Sequence, residues 1–473
     1  MPNEIHASWQ HQREARAFVH RLWNGDRPGA MLALEPGLGK SKVAIDLAGD
    51  IGASPVLVVC PMRIVDVWRR QLELHANFPY LFCGLDDRAG SVAKKTAMAH
   101  DAIVLARASR RTAFLVINYD AAWREPFASF ALTNTWPLVI ADELHRAKSV
   151  SGRASRFMGR LGLRATRRLG LTGTPLPHDL LDIWAQYRFL DRSIYDETFW
   201  AFKTRYAILG GFQNRQIKGF RDEDDYHRRF YSIAYRATKE VLDLPPEMDE
   251  LLYTDLTPNG RHVYDELEAN LITWLGTAPE NEITVKNALV LLLRLQQLTG
   301  GALKDDSGQW HNEDTSKESL LTDWLEDLPN DEPVVIFAHF IPDLDASVRA
   351  CEKTGRKASE VSGRSPHGIA DWQAGKTQIL VAQDQTASEG QDFTRARYCV
   401  FYSMGYSLYR YVQARARVHR AGQARPTTYY HLLCRDTVDE TILRAVQHRW
   451  EIVETILKEK QKYVTRSTAA PLR

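Results

Sequence analysis

Cysteine is scarce and scattered: the five residues Cys60, Cys83, Cys351, Cys399 and Cys434 include no CxxC pair. An odd, dispersed set excludes a disulfide framework and a cysteine-built zinc ribbon. Long hydrophobic runs are missing too, and none approaches the roughly twenty residues a helix needs to cross a bilayer. The opening stretch MPNEIHASWQHQREARAF lacks the apolar core of a secretory signal. No charge sign dominates: 61 Lys and Arg face 59 Asp and Glu, a formal net charge of +2. That balance argues against a basic coat over the whole chain and leaves local patches open. The length, 473 residues, suggests about two to four domains. With 44% hydrophobic and 25% charged residues, the composition fits a soluble chain with substantial cores.

Short continuous apolar runs recur, separated by longer helical patterns. One group is VLVVC at 56–60, FLVIN at 114–118, LVIAD at 138–142 and RLGLTG at 168–173. A second is VVIFA at 334–338, ILVAQ at 379–383, YCVFY at 398–402 and YYHLL at 429–433. Continuous rather than alternating runs fit strands buried on both faces of a parallel sheet. The fold class expected is therefore α/β, with two sheet-containing lobes and a helical stretch between them. The boundaries read as 1–185 for the first lobe, 186–300 for helical protrusions and a linker, 301–463 for the second lobe, and 464–473 for a tail. The stretch 241–260, with its prolines and glycine, reads as the connector.

Chemistry concentrates first at LALEPGLGKSKVAIDLA, 32–48. Gly37 and Gly39 let the loop around Leu38 curl so that backbone N–H groups surround phosphates. Lys40 supplies a point charge for the terminal phosphates, and Ser41 a hydroxyl for Mg²⁺. A helix starting here would favour the same anion through its dipole. Leu34 stands where the usual pattern has a further glycine, so an ordinary Gly-rich turn is the competing reading. In WPLVIADELHRAK, 136–148, Asp142 and Glu143 fall at the carboxyl end of a strand, where ligands bind in open α/β sheets. Asp142 is suited to hold Mg²⁺ and Glu143 to orient and deprotonate a water. An acidic helix start is the bland alternative.

DELH followed by LTGTPLPHDLLDIW at 171–184 resembles motifs II and III of superfamily 2 helicase-type ATPases, and the Snf2 branch in particular. The resemblance extends over roughly 8–463. HQREA at 11–15 is similar to the adenine-reading motif, with Gln12 as reader. CPMRIVDVWRRQL at 60–72 and INYD at 117–120 resemble nucleic-acid motifs. RATKEVLDLPP at 236–246 is similar to the lobe-linking segment, and VVIFAHF at 334–340 to motif IV. QTASEGQDF at 385–393 resembles motif V, QARARVHRAGQ at 413–423 motif VI, and DTVDETIL at 436–443 a C-terminal brace. The resemblance implies two RecA-like lobes around Mg·ATP, with Gly390 and Asp392 contributing to the nucleotide site. It implies Gln413, Arg417 and Arg420 as the catalytic face of lobe 2. Arg417 and Arg420 would share one face if their segment were helical, and could then neutralise charge in phosphoryl transfer. A solvated basic helix is the competing reading of the same residues. By the same resemblance His145 couples the ATP and nucleic-acid sites. Three departures stand out: Ser388 and Glu389 replace a glycine pair, Ala416 replaces Gly or Asp, and Pro177-His178-Asp179 replace Gln-Asn-Asn.

Between motifs II and III lie Arg146, Lys148, Arg153, Arg156, Arg160, Arg164, Arg167 and Arg168 with no acid among them. Such a stripe is a candidate phosphate track or, alternatively, a solvated helix face. Nucleic-acid contacts are expected at Arg146, Lys148 and Arg153, and by resemblance at Arg63, Asn118, Thr172, Thr174 and Thr386. The expected activity is ATP-dependent translocation on duplex DNA by a monomer, in bacterial or phage-infected cytoplasm. A strand-separating DNA or RNA helicase and an inactive ATP-gated binding module are the alternatives.

Overall fold

The computed structural model describes residues 8–176, 180–210, 216–277, 282–305, 307–365, 368–387 and 391–458. Pro177, His178, Asp179, Ser388, Glu389, Gly390 and the tail 464–473 lie outside the described residues, as does the Thr386 side chain. The chain divides into two compact units between Leu242 and Asp243. The segment read from sequence as a middle region, 186–300, is thereby split between them.

In the first unit the apolar runs become strands β1 (Gly29–Leu34), β2 (Val56–Cys60), β3 (Tyr80–Leu85), β4 (Thr112–Asn118), β5 (Trp136–Asp142) and β6 (Ala165–Leu171). A short hairpin, β7 (Ala207–Gly210) and β8 (Gln216–Phe220), precedes β9 (Ala234–Ala237). The main sheet runs β3-β4-β2-β5-β6-β1-β9, parallel throughout. All residues of β1 and β2 are buried, as helix cover on both faces requires. Helices Gln10–Asn24, Lys40–Asp50 and Val65–His75 cover one face through Val19, Trp23, Val43, Leu47, Trp68 and Leu72. Helices Ile183–Leu190, Phe199–Tyr206 and Glu223–Ile233 pack their own aromatic cluster of Tyr187, Tyr195, Phe202, Tyr206, Tyr226 and Phe230. β9 returns the chain to β1, with Ala237 opposite Leu34.

The second unit is a six-stranded parallel sheet. Its strands are β10 (Glu247–Thr254), β13 (Val334–Ala338), β14 (Ala358–Val361), β15 (Ile379–Gln383), β16 (Tyr398–Phe401) and β17 (Thr427–Cys434), in the order β10-β17-β16-β13-β15-β14. A separate hairpin, β11 (Ala302–Lys304) and β12 (Trp310–Asn312), interrupts the sequence. A buried ionic knot ties the long C-terminal helix Val438–Lys458 to this unit: Lys317 Nζ lies 2.6 Å from Asp439. The other Asp439 oxygen accepts the Thr299 hydroxyl at 2.8 Å. Burial opposes the Lys317 charge, but Asp439 and neighbouring acidic groups hold its pKa above the ordinary value. The α/β class with two parallel sheets is the one the sequence pattern implies.

Candidate nucleotide and nucleic-acid site

The carboxyl ends of β1, β5 and β6 are adjacent in the first sheet: Leu32 and Asp142 both pair with Leu171. After β1 the loop Glu35–Gly39 turns through positive φ at Gly37 (94°) and Gly39 (78°), then enters helix Lys40–Asp50. These values explain the two glycines, since side chains are strained there. Gly39 is also needed for space, because a Cβ would lie 2.3 Å from Gln12 Nε2. Lys40 Nζ donates to the Leu34 carbonyl at 2.8 Å, while Ser41 is half-buried in the first helical turn. Buried Leu38 offers its carbonyl to Gln12 Nε2 at 3.2 Å, and His11 Nε2 lies 3.0 Å from the same oxygen. Gln12 Oε1 accepts the Trp9 N–H at 3.0 Å. Gln12 thus braces the phosphate loop from within the helix Gln10–Asn24.

Asp142 ends β5 with both carboxylate oxygens engaged. Oδ2 accepts the Trp68 indole N–H at 2.9 Å, and Oδ1 accepts the Glu143 N–H at 3.0 Å. The Asp142 carbonyl accepts the Tyr119 hydroxyl at 3.0 Å. Burial, followed by the nearby Asp142 charge, pushes the Tyr119 pKa well up and keeps this phenol a donor. Glu143 takes left-handed backbone angles, φ 51° and ψ 52°, uncommon for a residue with a side chain. Such strain persists where surrounding structure imposes it, often at functional sites. His145 Nδ1 is 3.3 Å from Glu143 Oε2 and 3.1 Å from Thr172 Oγ1. Thr172 Oγ1 in turn accepts the Thr174 N–H at 3.2 Å. Gly173 allows this segment to lie on the phosphate loop, since a Cβ there would be 2.8 Å from Pro36 Cδ. Motifs I, II and III therefore form one bonded assembly within the first unit.

Several expected nucleic-acid contacts prove to be internal. Thr172, Thr174 and Asn118 are buried, and the Thr172 hydroxyl serves the His145 relay. Arg168 leaves the basic stripe: half-buried in β6, it donates to the Leu190 carbonyl at 3.0 Å, and burial lowers its pKa. Lys148 sits 3.9 Å from Asp182. Arg63, Arg146, Arg153, Arg156, Arg160 and Arg164 are exposed. Arg153, Arg156 and Arg160 fall on one face of helix Arg153–Leu161, whose other face buries Phe157, Met158 and Leu161. Arg153 also lies over the Trp123 ring, 5.0 Å from its centroid.

In the second unit, helix Leu408–Val418 carries motif VI but stops before Arg420. His419 turns extended (ψ 90°) and its Nε2 meets the Pro245 carbonyl at 2.7 Å. Arg417 and Arg420 therefore do not share a helix face. They converge instead on the motif V segment. The Arg417 carbonyl accepts the Phe393 N–H at 2.9 Å, and Arg420 Nη1 donates to the Gln391 carbonyl at 3.3 Å. The Arg417 guanidinium bonds Gln413 Oε1 at 2.8 Å, and Gln413 itself is only 1% exposed. Asp392 lies 4.0 Å from Arg420 and accepts the Thr394 N–H and hydroxyl. The intervening Arg415 is a structural residue, stacked 3.9 Å from the Tyr429 centroid and bonded to Asp249. Trp68 and Tyr119, which reading by motif did not single out, are the closest supports of Asp142; only the indole and phenol polar atoms could have signalled a role beyond core.

Comparison with known proteins places the chain in a family. The SNF2-related domain matches residues 11–300, and the helicase conserved C-terminal domain matches residues 316–422. Protein p41 of Acyrthosiphon pisum secondary endosymbiont phage 1 is 25% identical over 370 residues, covering 73% of this chain and 77% of that protein. Chromodomain-helicase-DNA-binding protein 1-like of Danio rerio is 23% identical over 457 residues, covering 92% of this chain. The chain spans only 42% of that relative's length. A solved structure, the Sulfolobus solfataricus SWI2/SNF2 ATPase core in complex with dsDNA, is similar at 19% identity and a TM-score of 0.44, covering 98% of this chain and 96% of that one. Since the SNF2-related domain alone takes in more than half of its residues, the chain belongs to the SNF2-related family of helicase-type ATPases.

Proposed function

We propose that the chain is an ATP-dependent motor that translocates on duplex DNA, coupling hydrolysis to movement along it. The observation that carries this reading is the close approach of Glu143 Oε2 to His145, 3.3 Å, with His145 in turn hydrogen-bonded to Thr172 and Thr172 to Thr174, which links the expected water-activating carboxylate to motif III. Gly37, Leu38, Gly39 and Lys40 bind the phosphates of ATP, with Gln12 bracing the loop. Glu143 orients the attacking water and takes its proton. By the family resemblance Gln413, Arg417 and Arg420 of the second unit are the catalytic residues of motif VI, the arginines suited to neutralise charge on the transferred phosphoryl group. Asp392, close to Arg420, and by resemblance Gly390 belong to the nucleotide site as well.

Among the described residues no cluster of three His, Cys, Asp or Glu side chains can cage a metal. One carboxylate and one hydroxyl, Asp142 and Ser41, instead suit Mg²⁺, which keeps waters and phosphate oxygens as its other ligands. Held by Asp142 and Ser41, the ion would supply positive charge against the charge that develops on the transferred phosphoryl group. The Trp68 and Glu143 N–H groups hold Asp142 in one orientation for that task.

Arg63, Arg146, Arg153, Arg156 and Arg160 supply the phosphate contacts, so binding weakens as salt rises. The similarity to a phage protein supports a bacterial or phage-infected setting, and a monomer suffices for the mechanism. The decisive experiment compares ATPase stimulation by double-stranded, single-stranded and forked DNA and by RNA at two salt concentrations, beside an unwinding assay. Duplex stimulation without strand separation is expected. Robust unwinding of a forked duplex would replace this reading with a strand-separating helicase.

A further inference from the structure

Parallel strands give the first sheet two unlike ends. The carboxyl ends carry the phosphate loop and Asp142. At the amino ends, beneath the turns leading into β2, β3 and β4, lies a groove of about 410 Å³. Its floor is Phe78, stacked on Phe114 with centroids 6.3 Å apart. The Phe78 ring is pressed so close to Gly49 that a Cβ there would approach within 2.5 Å, which fixes the ring in place. Ile103 and Ala106, from the helix Val92–Ala108, form an apolar wall.

Arg107, Arg110 and Arg111 line the same groove and are exposed. Among the described residues no acidic side chain pairs with these three arginines, whose neighbours Lys95 and His100 take the nearby carboxylates. Arg110 holds a left-handed backbone (φ 54°) at a corner where helices usually place glycine. Beside them Val104 and Leu105 are 55% and 58% exposed. Apolar floor, cationic rim and adjoining exposed aliphatics thus coincide at the end of the sheet remote from the nucleotide motifs.

We propose that this groove docks an acidic segment of a partner protein, with one apolar side chain seated on Phe78 and carboxylates paired to Arg107, Arg110 and Arg111. Charge complementarity selects an acidic occupant. The concave apolar floor selects a peptide over a duplex, because a phosphate backbone has no side chain to fill it while an anchored peptide does. Arginine is the residue suited to bidentate carboxylate recognition. Such docking would connect the motor to a partner without occupying the ATP site or the Arg153–Arg160 face.

The test uses the full chain and a short fluorescein-labelled peptide of Asp and Glu with one central Phe, followed by fluorescence anisotropy. Saturable binding with a Kd on the order of tens of micromolar is expected. Replacing the peptide's Phe by Ala, or introducing Arg107→Glu, Arg110→Glu and Arg111→Glu together, should each weaken binding by roughly tenfold or more. Arg107→Glu alone gives a smaller loss in the same direction and guards against misfolding of the triple variant, as does an unchanged Tm. DNA-stimulated ATPase should stay unchanged in both variants, and duplex DNA should not displace the peptide. Three results would overturn the proposal: no saturable binding up to about 1 mM, equal binding of the Phe-less peptide, or displacement by duplex DNA with loss of DNA affinity in the triple variant. The last would make the groove a nucleic-acid contact.

Discussion

The two units hold the polar groups of their motifs in different ways. In the first unit Asp142 is clamped by Trp68 and Glu143 N–H groups, and its carbonyl by Tyr119. In the second unit Arg417 bonds the neutral Gln413 amide, and Arg420 a backbone carbonyl at 3.3 Å with its nearest carboxylate at 4.0 Å. The Asp142 carboxylate is preorganised. The bonds of Arg417 to Gln413 and of Arg420 to the Gln391 carbonyl are made to neutral acceptors, whereas charge-assisted bonds to phosphate oxygens would be about twice as strong as such bonds. The asymmetry is one between a fixed carboxylate and arginines held by neutral bonds.

The largest test of the asymmetry is Glu143→Gln. Removing the proton acceptor should lower kcat by up to about 10⁴-fold while ATP binding persists, as checked by steady-state ATPase and a fluorescent nucleotide titration. Full activity in this variant would remove the water-activating role. Arg417→Ala and Arg420→Ala come next, each lowering kcat about 10³-fold. Arg417→Ala also frees buried Gln413, so its Tm should fall, whereas Arg420→Ala should leave Tm unchanged. Equal loss of Tm in both would mean that Arg420 is structural too.

Trp68→Phe sharpens the comparison from the other side. The ring volume is largely kept, but Asp142 Oδ2 loses its indole donor. Removing a hydrogen-bond partner of a metal-holding carboxylate commonly costs ten- to a hundred-fold, here expected as about tenfold. The loss should read as a higher Mg²⁺ concentration for half-maximal binding of a fluorescent ATP analogue. A lower Tm with unchanged Mg²⁺ dependence would show that Trp68 is core alone.

How much of this could be read in sequence follows from which interactions are local. The apolar runs VLVVC, FLVIN and VVIFA became β2, β4 and β13 because continuous burial is visible residue by residue. The bonded phosphate loop and DELH segment were legible for a similar reason, since chemistry and spacing lie within each motif. β9 and β10 were not legible. AYRA and EMDELLYT carry charge, and they become strands by pairing with β1 and β17 rather than through their own pattern. Neighbouring arginines were equally opaque. Arg415, Arg417 and Arg420 look alike in a string, and only the fold separates the one stacked on Tyr429 from the others. The Arg107 groove needs three turns brought together by the sheet, so no single segment announces it.

A last contrast sets two buried groups against each other within the second unit. Burial lowers the His431 pKa to about 4 from the ordinary 6.5, against the opposing pull of Asp249. Its neutral ring stacks on Phe401, and Tyr411 OH lies 3.1 Å from Nε2. A depressed histidine binds its proton more readily unfolded, so its contribution is full above pH 6.5 and drains away as pH falls towards 4, by roughly 3 kcal/mol. Asp343 acts with the opposite sign. Burial raises its pKa to about 6 from 3.8 despite the bonds from Ser403 and the Phe340 N–H, so its contribution is full below 3.8 and lost as pH rises through 6. Over pH 4–6 the two slopes largely cancel. Asp343→Asn removes one of them while keeping an oxygen for the Phe340 N–H. Urea denaturation of this variant should therefore show stability falling more steeply between pH 6.5 and 4 than in the parent. A variant with the parent's slope would mean that His431 does not remain neutral in the folded sheet.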